Sequence, residues 1–456
     1  MSEKTTEQLA SFAASLSYDA IPSRVREQCK NLLLDTLACA LAGHAGEETG
    51  QVSRFAATLA TSKESSVIGG GNLSLAGATL LNGYLITAVT MCDIHRSTLT
   101  HVTPEVVPPA LLIAERDNLS GRDLLVALAA GFEVTTRIGV ASDYPAFRAR
   151  GYHGPGVFGA FGSAAAAGRL IGLSDEAMAR AFGLAGSQAG GTFAAWGTPT
   201  VKFHQCRGAL SGLMAALLAE QDFLATREFL TAKDGGLFNT FSNGGHPEMV
   251  TNDLGKIWEL EQIALRLWPS ASSIQGMNTA LFDALDERAF KLKDIKSAKI
   301  RLAPTVFNLH GKLSKYKAKF DALISAHYTA AIIIQDHVLT LEQFTPERYD
   351  DPAIRKAAAE LIDIQPDESL KDVQSTVEFE LTDGSKIAKR CDFPRGSAEN
   401  PLTRAQIETK LRTYANNRLS PQAIDRIIAG VAGLENLGSV RELMQWLRQD
   451  ARAAAA

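Results

Sequence analysis

Four polar clusters hold most of the residues in this chain that can do chemistry, and each stands where an apolar helix is expected to begin or end. The first, "MCDIHRSTLTHVTPEVVPPALLIAE", places Asp93, His95, Arg96 and His101 ahead of an apolar run marked by two prolines. The second, "SDYPAFRARGYHGPG", supplies Tyr144, Arg148, Arg150, Tyr152 and His153. Lys202, His204 and Arg207 follow in "WGTPTVKFHQCRGALSG", and Arg266 with Ser270, Ser272 and Ser273 in "LRLWPSASS". Guanidinium forks grip carboxylates at two points at once. Imidazoles, a phenol and an amine add proton donors and acceptors for chemistry at an acidic C–H. The combination suits a small, multiply carboxylated ligand. A helix start also offers unpaired N–H groups and a positive dipole end, so cations placed before the Gly154 helix would enlarge an anion site.

Each group also has a packing alternative. Asp93 can cap a helix, Tyr144 can be a half-buried packing residue, Arg266 can pair with Glu259 or Glu261, and His204 can be a hydrogen-bonded core residue. If "YPAFR" is helical, Tyr144 and Arg148 share one face.

The elements that must position these groups are mostly helical up to about residue 265. "PSRVREQCKNLLLDTLACALAG" reads as a helix starting after Pro22 and stopping at Gly43. "GAFGSAAAAGRLIGL", "ARAFGLAGSQAGG" and "RGALSGLMAALLAE" are apolar nearly all round, as internal bundle helices are. After about residue 290 the pattern alternates. "IKSAKIRLAPTV" and "VQSTVEFELTDGSKIAKRCDF" read as strands, with Asp383-Gly384 as a hairpin turn. Between them "SAHYTAAIIIQDHVLTLEQF" and "DDPAIRKAAAELIDI" read as helices. The tail returns to helix, with Thr403 and Gln406 spaced as a capping box. The expectation is a mainly α fold: a helical domain over 1–265, rejoined by 402–456, and an α+β domain over 266–401.

Bulk properties narrow the function. The 456 residues are 46% hydrophobic and 21% charged, with 46 basic and 50 acidic side chains interspersed for a net charge of −4. No basic stripe suggests nucleic acid, and no run approaches the roughly 18 apolar residues of a membrane span. The acidic start without an apolar core suggests a cytoplasmic protein. The five scattered cysteines contain no C-x-x-C pair, which suggests reduced thiols rather than a zinc ribbon or a disulfide framework. There is no P-loop, no G-x-G-x-x-G in a βαβ setting, no H-E-x-x-H and no G-x-S-x-G. No metal site is expected.

The ordered segments "NGYLITAVTMCD…H", "RGYHGPGVFGAFGSAAAAGRLIGLS", "GTPTVKFHQCRGALSGLMAALLA", "RLWPSASS", "VEFELTDGS" and "PRGSAENPLTRAQIETKL" resemble the MmgE/PrpD family over nearly the whole chain. The resemblance implies a large helical domain, an α+β lid domain, an active-site cleft, a homodimer, and cofactor-free chemistry on small polycarboxylates. It places the family's catalytic aspartate on Asp93, a histidine on His101, the histidine of its "G-x-H-P-T-G" segment on His153, a lysine on Lys202 and a lid tyrosine on Tyr328. This chain reads "GYHGPG", without the threonine, and "RLWPSAS" where the family commonly has "K-P-Y-P-S-C-R", so Arg266 replaces a lysine.

That replacement and the Tyr144/Arg148 pair favour an iminodisuccinate-type epimerase, with Lys202 facing Tyr144 or His153 across the substrate and Arg148, Arg266, Tyr328 and His204 binding it. The alternatives are a 2-methylcitrate dehydratase or cis-aconitate decarboxylase type of lyase, and a catalytically silent carboxylate-binding protein.

Overall fold

The computed structural model describes residues 4–312 and 316–448. The chain divides into two compact units, one built from residues up to Ala264 and from Thr403 onward, the other from Leu265–Leu402.

The first unit is helical, and small residues explain how. The helix Gly154–Leu170 is buried from Gly154 through Gly168 and packs against the helices Thr103–Arg116, Gly121–Ala141 and Thr200–Glu220. Such close packing needs missing side chains: a Cβ on Gly162 would lie 1.9 Å from Thr135 Oγ1, and one on Gly212 2.3 Å from the Ala160 carbonyl oxygen. The helix Gly121–Ala141 is by length and mean hydropathy apolar enough to cross a bilayer, although Arg122, Asp123, Glu133 and Arg137 interrupt it, and 94% of its apolar window is buried within the protein itself. Glu133 and Arg137 on that helix form a buried pair at 2.5 Å. Arg137 donates to the Asn252 and Ile257 carbonyls, and Glu133 accepts from the Glu259 and Leu260 N–H groups.

The helix Thr200–Glu220 corrects the all-round burial expected of it, since Met214 and Leu218 are exposed. The returning helix Arg404–Ala415 packs on Ser23–Gly43. It begins with the capping box anticipated from its sequence: the Thr403 hydroxyl accepts from the Gln406 N–H, and the Gln406 side chain accepts from the Thr403 N–H.

The second unit contains a four-stranded sheet in the order Ile362–Pro366, Ile295–Leu302, Ser375–Leu381, Lys386–Cys391. The first pair is parallel and the other two are antiparallel, with the hairpin turning at Gly384, whose φ is +85°. Alternate residues Ala298, Ile300 and Leu302 enter a core shared with the helices Gln275–Glu287 and Ala326–Asp336. The segment "DDPAIRKAAAELIDI" is helical only through Glu360, and Ile362–Pro366 continues as a strand. Pairing beside Ile300 overrides a helical pattern that Leu361, Ile362 and Ile364 would otherwise prolong.

Candidate functional site

In the first unit, Asp93 anchors the start of the helix Thr103–Arg116. Its carboxylate accepts from the Val102 N–H at 2.8 Å, the Thr103 N–H at 3.1 Å and the Thr103 hydroxyl at 2.5 Å. Asp93 is fully buried, and burial, reinforced by the charge of Asp35, raises its pKa to about 6 against the pull of those hydrogen bonds. The helix-cap alternative therefore describes its contacts. The Asp93 main-chain oxygen also engages His101, whose Nδ1 lies 2.6 Å from it. A carbonyl only accepts, so neutral His101 carries its hydrogen on Nδ1 and presents Nε2 as the basic nitrogen.

His153 caps no helical N–H with its ring. Its Nδ1 lies 3.1 Å from Nδ1 of His204. One nitrogen must donate and the other accept, so when both rings are neutral one Nε2 is a donor and the other an acceptor. His153 is pushed down to about 3, chiefly by burial and then by His101, His204 and Arg148, and His204 is lowered by burial and Arg207. The turn is stitched to the 190–193 loop by the His153 N–H to Gly191 O and Phe193 N–H to Gly151 O bonds. Gly191 passes the His204 ring at φ +128°, where a Cβ would stand 2.9 Å from Cγ. Arg207 holds the same loop through the Gln188, Gly190 and Gly156 carbonyls, a structural assignment for that cation.

Tyr144 and Arg148 lie on the short helix Tyr144–Ala149, as the conditional reading required. Burial raises Tyr144 to about 12 although Arg148 opposes the rise, so the phenol stays protonated and serves as a donor rather than a base. The Arg148 guanidinium sits 3.4 Å over the Phe193 ring, which in turn stacks on Trp196. A stacked guanidinium keeps its edge available for a carboxylate.

Lys202 points elsewhere. Two residues before His204 on the same helix, it is turned by roughly 200° about the axis, and its ammonium donates to the Ala88 carbonyl at 2.7 Å. Glu48 stands 3.8 Å away and is itself held by the Tyr84 hydroxyl at 3.0 Å. Sequence reasoning missed Glu48 and Tyr84, since "GEETG" looks like an ordinary polar turn.

The structure therefore gathers His101, His153, His204, Arg148 and Tyr144 into one electrostatic neighbourhood, with Asp93 behind His101, and sets Lys202 at the end of the helix Leu75–Thr87. The remaining two candidates lie in the second unit. Arg266 is buried and donates to the Ser270 carbonyl at 3.2 Å, while Glu259 pairs with His95 and Glu261 with Arg24. Tyr328 is fully buried, with its hydroxyl donating to the Gln343 carbonyl and its ring edge-on to Tyr316. These are packing contacts.

Glu105 is another residue the sequence did not single out. It lies in the first turn of the helix Thr103–Arg116, fully buried, and neither carboxyl oxygen has a hydrogen-bond partner among the described residues. Its side chain occupies space cleared by glycine: a Cβ on Gly159 or Gly208 would lie 2.3 or 3.2 Å from its Cγ. Burial, then the charge of Asp93, holds its pKa well above the ordinary 4.5. The native state thus binds a proton that the unfolded chain releases above about pH 4.5, so this residue lowers stability progressively as pH rises toward its folded pKa. Glu105→Gln is expected to match the parent's stability near pH 4 and to exceed it at pH 7, the gap growing by up to about 1.4 kcal/mol per pH unit. Urea unfolding at the two pH values checks this, and a gap that shrinks with pH would refute it.

Residues 7–250 match the MmgE/PrpD N-terminal domain and residues 268–436 the MmgE/PrpD C-terminal domain. The chain belongs to the MmgE/PrpD family and is an enzyme of that family. It is 29% identical to the cis-aconitate decarboxylase-like protein oryM of Aspergillus oryzae, covering 96% of each chain. It is 28% identical to cis-aconitate decarboxylase of Aspergillus terreus, over 97% of this chain and 95% of that one. The Homo sapiens cis-aconitate decarboxylase is 27% identical, over 96% and 93%.

Proposed function

We propose that this protein is an acid/base lyase that removes CO2 from a cis-aconitate-like tricarboxylate. The observation that carries the reading is the neighbourhood of His101, His153, His204 and Arg148, in which burial and mutual repulsion keep His153 neutral until an anion arrives. A polyanionic substrate reverses that balance: its charge offsets the repulsion, draws a proton onto the cluster and is held by Arg148. The relatives named as cis-aconitate decarboxylases, similar over almost their whole length, support the same substrate class.

The chemistry asks for what these groups offer. Loss of CO2 from the CH2–COO⁻ arm of cis-aconitate leaves an electron pair that forms a new C=C with the central carbon. The old double bond shifts its electrons to the far carbon, which takes one proton, giving itaconate. His101, with its Nδ1 hydrogen tied to Asp93, delivers that proton from Nε2 once protonated, and the Arg148 guanidinium holds a carboxylate and stabilises the enolate-like charge beside it. Tyr144, held protonated, donates a hydrogen bond.

A second reading, an epimerase of an iminodisuccinate-like dicarboxylate, draws on the Tyr144/Arg148 pair and on Arg266 in place of a lysine. The elevated Tyr144 pKa weighs against a tyrosinate base, which places this reading second. Proton NMR with cis-aconitate, 2-methylcitrate and iminodisuccinate offered separately distinguishes them: itaconate signals are expected from cis-aconitate. Scrambling of iminodisuccinate stereochemistry alone would transfer the assignment to the epimerase.

A further inference from the structure

The turn that carries the site from the helix Leu75–Thr87 into Asp93 is held by two buried ammonium groups. Lys202 takes the carbonyl of Ala88 at 2.7 Å, and Lys410 takes that of Met91 at 3.1 Å. Between them Thr90, a β-branched residue, has φ +56°, a left-handed conformation that such residues rarely adopt unless their surroundings impose it. Lys410 comes from the returning helix Arg404–Ala415, far along the chain. Its ammonium also pairs with Asp35 at 2.6 Å, both side chains being almost wholly buried. Cys39 completes the group, its thiol 3.5 Å from Asp35 and 3.4 Å from the Met91 carbonyl. Burial acts to discharge Lys410, and Asp35 and Cys39 more than offset it, so its pKa stands above the ordinary value.

Two residues beyond Met91, Asp93 binds the start of the Thr103 helix with its carboxylate and His101 with its carbonyl. We infer that Lys410 is a positioning residue for the active site: by holding Met91 it fixes the main chain of Asp93 and so the tautomer and aim of His101. The inference rests on reading Asp93 and His101 as part of that site. A buried pair placed only to join the Arg404 and Ser23 helices would need no bond to Met91, whereas here one ammonium joins both helices and the turn.

The single variant Lys410→Met leaves Asp35 charged and buried, a change expected to damage the fold. The test therefore uses Asp35→Asn/Lys410→Met, which removes both charges, together with Lys410→Arg, which keeps the charge but cannot hold the same carbonyl in the same place. Displacement of the reacting groups by about 1 Å predicts a fall in kcat of about 100-fold in the double variant, with KM changed less than about threefold. Lys410→Arg is expected to retain the parent's Tm and still lose kcat. Nitrogen-15 NMR of the histidine rings reads the proposal without any substrate: His101 is expected as the Nδ1–H tautomer in the parent and as a mixture in both variants. Folded variants with unchanged His101 spectra and unchanged kcat would overturn the inference. Should the parent fail to turn over cis-aconitate, the proposed function fails while the His101 spectra still decide the role of Lys410.

Discussion

Lys202→Met is expected to lower kcat by about 100-fold, because the ammonium that holds the Ala88 carbonyl in the turn leading to Asp93 is lost and the reacting groups shift by about 1 Å. Methionine follows the path of the buried lysine stem, so the helix Thr200–Glu220 keeps its packing. What disappears is the ammonium that donates to Ala88 and faces Glu48. Glu48 keeps its bond from Tyr84. The stability cost is that of one lost charge-assisted hydrogen bond, about 1.5–3 kcal/mol. Steady-state kinetics with a melting curve separates the two effects. Parental kcat in a folded variant would show that the turn leading to Asp93 does not depend on Lys202.

His101→Asn is expected to act more severely, with kcat reduced by about 10³-fold, within the range for a lost general acid. The substitution is chosen because the asparagine amide can still donate to the Asp93 carbonyl, as His101 Nδ1 does at 2.6 Å. The variant therefore keeps the local tether and deletes Nε2 alone. KM is expected to stay within about threefold, since Arg148 and the His153–His204 pair still bind the substrate. No pH between 5 and 9 should restore the rate. A variant that recovers parental kcat at lower pH would show that another group delivers the proton.

The sequence announced the helical unit through its glycine and alanine pattern, because close helix packing leaves few other choices at positions such as Gly162 and Gly212. Thr403 with Gln406, and Asp383 with Gly384, were legible because caps and turns are local chemistry. The strand Ile362–Pro366 was not: "AAAELIDI" continues a helical period, and only its partner Ile295–Leu302 makes it a strand. The same divide runs through the site. Residue types at helix mouths pointed to His153 and His204, but their meeting across 51 residues is tertiary. Arg207 and Tyr328 carried the same chemical signals and are engaged in packing bonds. Glu48, Glu105 and Lys410 gave no signal at all, since a glutamate in a polar turn, or a glutamate or lysine on a helix, reads as solvated until its neighbours are known.

The most direct test of the central claim is proton NMR of cis-aconitate turnover in D2O. Proton delivery to the far alkene carbon during CO2 loss predicts itaconate with a single deuterium, in the CH2 beside the carboxylate, and none in the terminal =CH2. Itaconate lacking that deuterium, or cis-aconitate left unconverted while iminodisuccinate exchanges its α-proton, would contradict the account.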